Sequence, residues 1–432
     1  MKRILALVLC VCIACPFLLT ACGNQSGDSG KTADGKKVEL QISCWGIETD
    51  PNSKIIKEAV DLFNKRNTLN AVAKVTFTEQ EQYKTKIAAE MAANEVPDVF
   101  NTWAAGFLKP FVKAGKVYDL TDKLNADTEW KNRYVPGVYS SLEFDGRVYA
   151  LPTTQTVACL FYNKDIFKKY NLSEPKTYDD LKNIIKVLNE NGITPFALGN
   201  KAPWVGAMYS ELIANRVGGT EPYNKVYEGT GTWEDPSFIE AGKIMQELVD
   251  MKAFPEGFNA LDNDPAQADF KAGKCGMLVM GSWAIQQLYD DMKDSLGVCK
   301  FPEITGGKGN ADTWLGQPDQ SFAISAKSKA VDAAAEFIKT ISDPEIQNKL
   351  VEAGNLVATN VTPDPDKVNP VAREVGELLS DMKELFVFYD VGLGATIGNE
   401  YNNTIQAITA GQSVEESFKA LQKFTEQNRE ED

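Results

Sequence analysis

Four of the seven tryptophans, Trp45, Trp103, Trp204 and Trp283, lie just beyond the ends of strand-like runs, where an indole can present a flat face to a ligand. The stretch around Trp283 is the best defined. Cys275, Met277, Leu278, Val279 and Met280 form a short apolar run bounded by Gly273 and Gly281, which reads as a buried strand, and residues 283–288 resume at helical spacing. A strand therefore stops and a helix starts at Gly281-Ser282-Trp283, with Gly281 expected to take unusual backbone angles and Ser282 to cap the helix. In open α/β sheets ligands bind beyond the carboxyl ends of the strands, so Trp283 should stand at the rim of a crevice. For each of the four, the competing reading is an indole that fills a core. Trp130, Trp233 and Trp314 lack the strand-end context and are assigned to packing or hinge roles.

The chain contains no histidine. That removes the Ser-His-Asp triad, the Cys-His dyad, histidine metal clusters and the usual neutral-pH general base together. No phosphate loop, dinucleotide fingerprint or metal-spaced cluster is present, so no cofactor and no metal are expected. Acids are numerous enough that a pair flanking a glycosidic bond stays possible, although nothing groups them into a motif. Asp98, after Pro97, is expected to close a turn rather than act as a base.

The elements that must position these residues alternate along the chain. From Lys37 the pattern gives strand Val38–Trp45, a helix over 51–67, strand Ala71–Thr78, a helix over 82–94, a short strand over 96–100 and a helix over 107–114. Such alternation implies a largely parallel sheet covered by helices, an α/β fold. Asp145-Gly146 marks a hairpin turn. Residues 151–156, with Pro152 and several polar side chains, are expected to break one sheet and cross to a second domain before a new strand over 157–163. Helices are expected over 178–191, 204–217 and 236–251, a second crossing over 313–318, a strand over 321–324, a helix over 330–342, and a third crossing over 360–366. A chain of 432 residues exceeds what one core usually holds, which also argues for two domains.

The first residues carry an address. Lys2 and Arg3 precede an apolar run over 4–19, and Leu19-Thr20-Ala21-Cys22 closes it with small residues and a cysteine, the form of a secretory signal over 1–21. The motif resembles the lipobox of bacterial lipoproteins, which implies a lipid on Cys22 and a polar, glycine-rich tether over 22–36. The formal net charge of −15 opposes nucleic-acid binding and favours solubility. Cys44, Cys159, Cys275 and Cys299 sit in or beside apolar runs and read as buried small hydrophobes, with disulfides among them left open.

Several further motifs stand in order along the chain: Pro97-Asp98-Val99, the leucine, phenylalanine and Ala-Gly pattern over 108–120, Tyr149-Ala150-Leu151-Pro152, Phe161-Tyr162-Asn163-Lys164, Gly273-Lys274 with Met277 and Gly281-Ser282-Trp283, and Ile324-Ser325 with Ser328. Their order and spacing resemble those of the extracellular solute-binding proteins of ABC importers, the sugar-binding family that includes maltose-binding protein. The resemblance spans nearly the whole chain after Cys22. It implies a two-lobed periplasmic-binding-protein-like fold (type II), with lobes over 37–151 plus 317–361 and 155–314 plus 366–432 joined by hinge crossings. It also implies a non-enzymatic, lipid-anchored monomer at the outer face of the bacterial cell membrane. There it would capture a carbohydrate, an oligosaccharide by preference, and hand it to the transmembrane permease subunits.

A sugar exposes apolar C–H faces and a rim of hydroxyls, so its site needs aromatic platforms and bidentate polar side chains. The platforms are Trp45, Trp103, Trp204 and Trp283; the polar partners expected beside strand ends and crossings are Glu48, Glu79, Asn101, Gln155, Gln317, Asp319 and Asp390. A lipid-anchored glycoside hydrolase and a surface adhesin are the competing readings. The hydrolase would turn over substrate in a reducing-sugar assay, and the adhesin would need an apolar patch outside the cleft.

Overall fold

A computed structural model describes residues 37–135 and 137–429. The expected signal, tether and Cys22 lie outside the described residues. Among the described residues no helix is long and apolar enough to cross a membrane.

Strands β1 (Val38–Trp45), β2 (Ala71–Thr78) and β3 (Val99–Thr102) form one end of the sheet, with β1 parallel to both neighbours. The helices between them cover its faces. Helix Pro51–Arg66 starts on a proline, whose missing N–H has no partner to lose in a first turn, and ends on Lys65 and Arg66, which suit the helix dipole. It buries Ile55, Ile56, Ala59, Val60 and Phe63, and the Phe63 ring meets Phe337 of helix Val331–Ile341 edge-on at 6.2 Å. Pro97 and Asp98 form the turn ahead of β3 instead of its first residues. Asp98 fastens that turn by accepting from Gln41 N at 2.9 Å and from Ser328 Oγ at 2.6 Å.

A short hairpin, β4 (Glu143–Phe144) and β5 (Arg147–Val148), turns on Asp145 and Gly146, both at positive φ as a two-residue turn of this kind requires. Next comes β6 (Ala150–Asn163), then β7 (Thr194–Phe196), β8 (Cys275–Gly281), β9 (Leu296–Cys299), the long β10 (Thr313–Ile324), β11 (Leu356–Val357) and β12 (Glu384–Phe386). The main path runs β2-β1-β3-β10-β6-β8-β7, with β9 and β11 paired to β6 and β12 to β10.

The expected sheet break at 151–156 is not there. β6 runs unbroken for 14 residues, its first half antiparallel to β10 from Ala150↔Ala323 to Val157↔Gly316 and its second half antiparallel to β8 and β9. The polar residues and Pro152 sit inside this strand because the ladder there is already interrupted: Gln320, opposite Thr153, is held at φ 42 and accepts from Thr153 Oγ1 through its carbonyl at 3.1 Å. Two continuous strands thus pass between the lobes side by side, and the expected second crossing over 313–318 is the start of β10. The third, over 360–366, has no regular structure.

One core cluster fills the space between β1, β10 and the helices at the first end of the sheet. The larger one covers β6 and β8 with helices Trp204–Gly218 and Pro236–Asp250 and continues to Trp45, Tyr83 and Trp103 at the first end. Trp130, Trp233 and Trp314 are buried, in agreement with packing roles. Cys44, Cys159, Cys275 and Cys299 are free and buried.

Candidate ligand-binding cleft

A cavity of ≈ 1030 Å³ opens where the strand ends of the two lobes face each other. Pockets for drug-sized ligands run roughly 300–1,000 Å³, so this one has room for several sugar rings.

One wall is an aromatic ladder. Trp45, ending β1, and Trp103, just past β3, stack with centroids 4.1 Å apart and planes 9° from parallel. Phe107 meets Trp103 edge-on at 4.8 Å, and Phe111 continues the row. Tyr83 lies edge-on to both indoles and is pinned by its hydroxyl, which donates to Asn101 O at 2.7 Å. Trp45 and Trp103 are therefore part of the core and line the cleft at once. The facing wall is Trp204, Trp283 and Phe388, with Trp283 about 6 Å from each neighbour at 6.1 and 6.2 Å. Trp283 is 37% exposed, the most open of the cleft indoles.

The turn that carries Trp283 departs from the expected one. Gly281 ends β8 in ordinary extended backbone (φ −71, ψ 156); glycine is required because a Cβ there would lie inside the Trp283 ring, which folds back over the strand end. Ser282 caps no helix. Its Oγ accepts from Val157 N at 3.2 Å and lies 3.3 Å from Thr156 Oγ1, which ties the platform turn to the crossing strand β6. A 3₁₀ turn, Ser282–Ala284, precedes helix Ile285–Met292.

Of the polar candidates, Glu79, Gln317, Asp319 and Asp390 line the cavity with all four tryptophans. Gln317 and Asp319 share a face of β10 by the two-residue strand period. Glu79 also caps helix Gln80–Ala93, accepting from Glu81 N at 3.1 Å. Asp390 opens helix Tyr389–Thr409 and accepts from Asn402 Nδ2 at 3.1 Å. Burial pushes Asp319 up to about 6.

Three candidates are not brought to the cavity. Glu48 turns outward and pairs with Lys57 at 2.7 Å, its side chain 73% exposed, because helix Pro51–Arg66 offers it a solvated ammonium. Asn101 is fully buried within β3 and donates to Ser321 O at 3.3 Å. Gln155 donates to Val357 O at 3.2 Å, held against the added strand β11.

Other lining residues escaped the sequence reading. Glu211, 1% exposed, sits mid-way along helix Trp204–Gly218; its Oε1 accepts from Tyr389 N at 3.2 Å and its Oε2 has no partner. Burial holds its carboxyl well above the usual range, and the Asp390 charge adds to this. Its signal was legible: it is the one acid in a largely apolar helix that carries Asn215 and Arg216 in its last turn. Gln320, brought to the cavity by its left-handed φ, and Gln317 each leave a buried Oε1 without a protein partner.

The family model for bacterial extracellular solute-binding proteins matches residues 46–348. The chain belongs to that family. This solute-binding protein is 26% identical over 345 residues to the multiple sugar-binding protein of Streptococcus mutans, covering 74% of this chain and 79% of that one. It is 26% identical to the melibiose/raffinose/stachyose-binding protein of Bacillus subtilis over 65% of this chain and 66% of that one. Among solved structures, one from a study of xylan utilization by Caldanaerobius polysaccharolyticus aligns with a TM-score of 0.85 at 31% identity, over 89% of this chain and 99% of that one. A chitin oligosaccharide binding protein aligns with a TM-score of 0.83 at 25% identity, over 90% and 98%. The architecture is the two-lobed type II fold of solute-binding proteins, as the motif order implied.

Proposed function

We infer that this solute-binding protein is the extracytoplasmic receptor of an ABC importer and that it captures an oligosaccharide between its lobes for delivery to the permease subunits. The observation that carries the reading is the pair of aromatic walls, Trp45–Trp103–Phe107 and Trp204–Trp283–Phe388, facing each other across a cavity also lined by Gln317, Gln320 and Asp390. Indoles stack on C–H faces, and amide and carboxylate side chains pair with hydroxyls. The names of the relatives, sugar- and chitin-oligosaccharide-binding proteins, support the same class. The lobes are drawn over 37–151 plus 317–361 and 155–314 plus 366–432, with Glu79, Gln317, Asp319 and Asp390 as polar partners beside the four tryptophans.

A thermal-shift and calorimetric screen against mono- and oligosaccharides tests it, since a ligand that binds the folded state raises the melting temperature by mass action. Saturable binding of an oligosaccharide without its cleavage is expected; turnover in a reducing-sugar assay would favour the hydrolase, and a flat screen would remove the carbohydrate reading. The chain is further proposed to act as a monomer tethered by lipid on Cys22. Cys22→Ala is expected to move it from the membrane to the soluble fraction with unchanged melting, and a wild-type protein already soluble would contradict the anchor.

A further inference from the structure

The charged groups of the cleft are nearly all of one sign. Carboxylates stand all around it: Asp50 and Glu79 beside the first aromatic wall, Asp264 and Asp390 beside the second, and Asp319 on the crossing strand β10 between them. Lys84 is the one ammonium or guanidinium on the lining, and it is engaged, 3.2 Å from Glu81 Oε1 and 5.5 Å from the Trp103 ring centroid. Glu211, Gln317 and Gln320, all more than nine-tenths buried, line the same space, and each holds a buried oxygen without a protein partner. The charged groups of such a lining oppose negative charge on a ligand.

We propose that this cleft selects saccharides by charge, admitting neutral and amine-bearing chains and rejecting those with a carboxylate, sulfate or phosphate, with Asp319 and Asp390 as the selecting groups. The inference rests on the carbohydrate reading above. Like charges brought together where water is thinned by indole walls repel far more strongly than in bulk solvent. A hydroxyl donates to a carboxylate at little cost, and an ammonium gains both a charge-assisted bond and the attraction of an indole face.

The test uses three trisaccharides matched in linkage, one neutral, one with a terminal uronate and one with a terminal amine, titrated calorimetrically against the wild-type protein and the double variant Asp319→Asn, Asp390→Asn. Asp390→Asn keeps an oxygen to accept from Asn402, so the fold retains that bond. The uronate is expected to bind the wild type about tenfold or more weakly than the neutral sugar, the amine at least as well, and the variant to lose most of this gap. A second arm needs no sugar. Because Trp45, Trp103, Trp130, Trp233 and Trp314 are buried, quenchable emission comes chiefly from Trp204 and Trp283, and caesium should quench it more than iodide at equal ionic strength, each scaled to its quenching of free tryptophan, with the difference shrinking in the variant. Uronate binding within about twofold of the neutral sugar, or a caesium–iodide difference unchanged by the two substitutions, overturns the proposal. If no saccharide binds but that difference collapses in the variant, charge selection stands and the carbohydrate reading falls.

Discussion

Trp283 separates platform from core by a single substitution. Its indole is over one-third exposed and no neighbouring ring stacks flat on it, whereas Trp45 and Trp103 are each under one-tenth exposed and stacked on one another. Trp283→Ala should therefore cost ~2 kcal/mol of binding, a loss of about 30-fold in affinity, with a near-normal melting temperature. Trp103→Ala should instead lower stability by roughly 3 kcal/mol or more as a core change does. Equal losses of stability for the two would refute the distinction. Asp319 gives a prediction with a sign. Its carboxyl, raised to about 6 from an ordinary 3.8, binds a proton more tightly in the folded chain than in the unfolded one, so the penalty of its buried charge is fully present above pH 6 and fades as pH falls towards 3.8. Asp319→Asn should raise the apo melting temperature above pH 7, and this advantage should shrink towards pH 5; an advantage independent of pH would remove burial as the cause. At this scale the sequence revealed residues whose position follows from a local turn, Trp283 above all. It hid those whose direction depends on a distant partner: Glu48 on Lys57, Gln155 on β11, Glu211 on the Tyr389 amide.

Among the elements, the pattern located β1, β2 and the helices expected over 51–67, 178–191, 236–251 and 330–342 within a residue at each end, and each of those four helices buries one face along its own length. The crossings were misjudged for a physical reason. Pro152 and four polar residues look like a break, yet in a strand flanked on both sides by others a local ladder defect is enough to accommodate them, and Gln320 supplies it. A glutamine at φ 42 is strained by about 1 kcal/mol or more, and the strain sits at the cavity wall. Gln320→Gly should relieve it, partly offset by roughly 0.5–1 kcal/mol of extra backbone entropy in the unfolded chain, while removing an amide from the site. The expected result is unchanged or slightly raised stability with weaker ligand binding. A clear loss of stability would mean that the left-handed turn is not strained.

For the molecule as a whole, the loop after Trp103 and the helix carrying Asp390 meet backbone to backbone. A Cβ on Gly106 would collide with Gly392 and Gly394, the latter at φ 83 where helix Tyr389–Thr409 kinks. These segments lie on opposite sides of the cleft, so the contact can form only when the walls are close. A clamp that contacts its ligand from both lobes is shifted by that ligand towards the closed state. Solution scattering should show the radius of gyration falling when a binding saccharide is added. Gly106→Ala should hold the walls apart, blunt that fall and weaken binding by about tenfold, near 1.4 kcal/mol. An alanine variant that closes and binds normally would show that the glycine contact does not limit closure. The two-lobed plan itself was legible from motif order; this contact was not, since nothing in a sequence reveals which glycines face each other across a cleft.

The four buried cysteines make the protein a quiet background for thiol chemistry. Burial pushes Cys275 up to about 12 and Cys44, Cys159 and Cys299 in the same direction, so the reactive thiolate is scarce, and the closed core denies access to what little forms. In the oxidising space outside a bacterium, such sulfurs neither exchange nor cross-link while the fold holds. A single cysteine placed on each lobe's surface would then be the pair that a maleimide dye finds among the described residues, and the distance between the dyes would follow the lobes as they move.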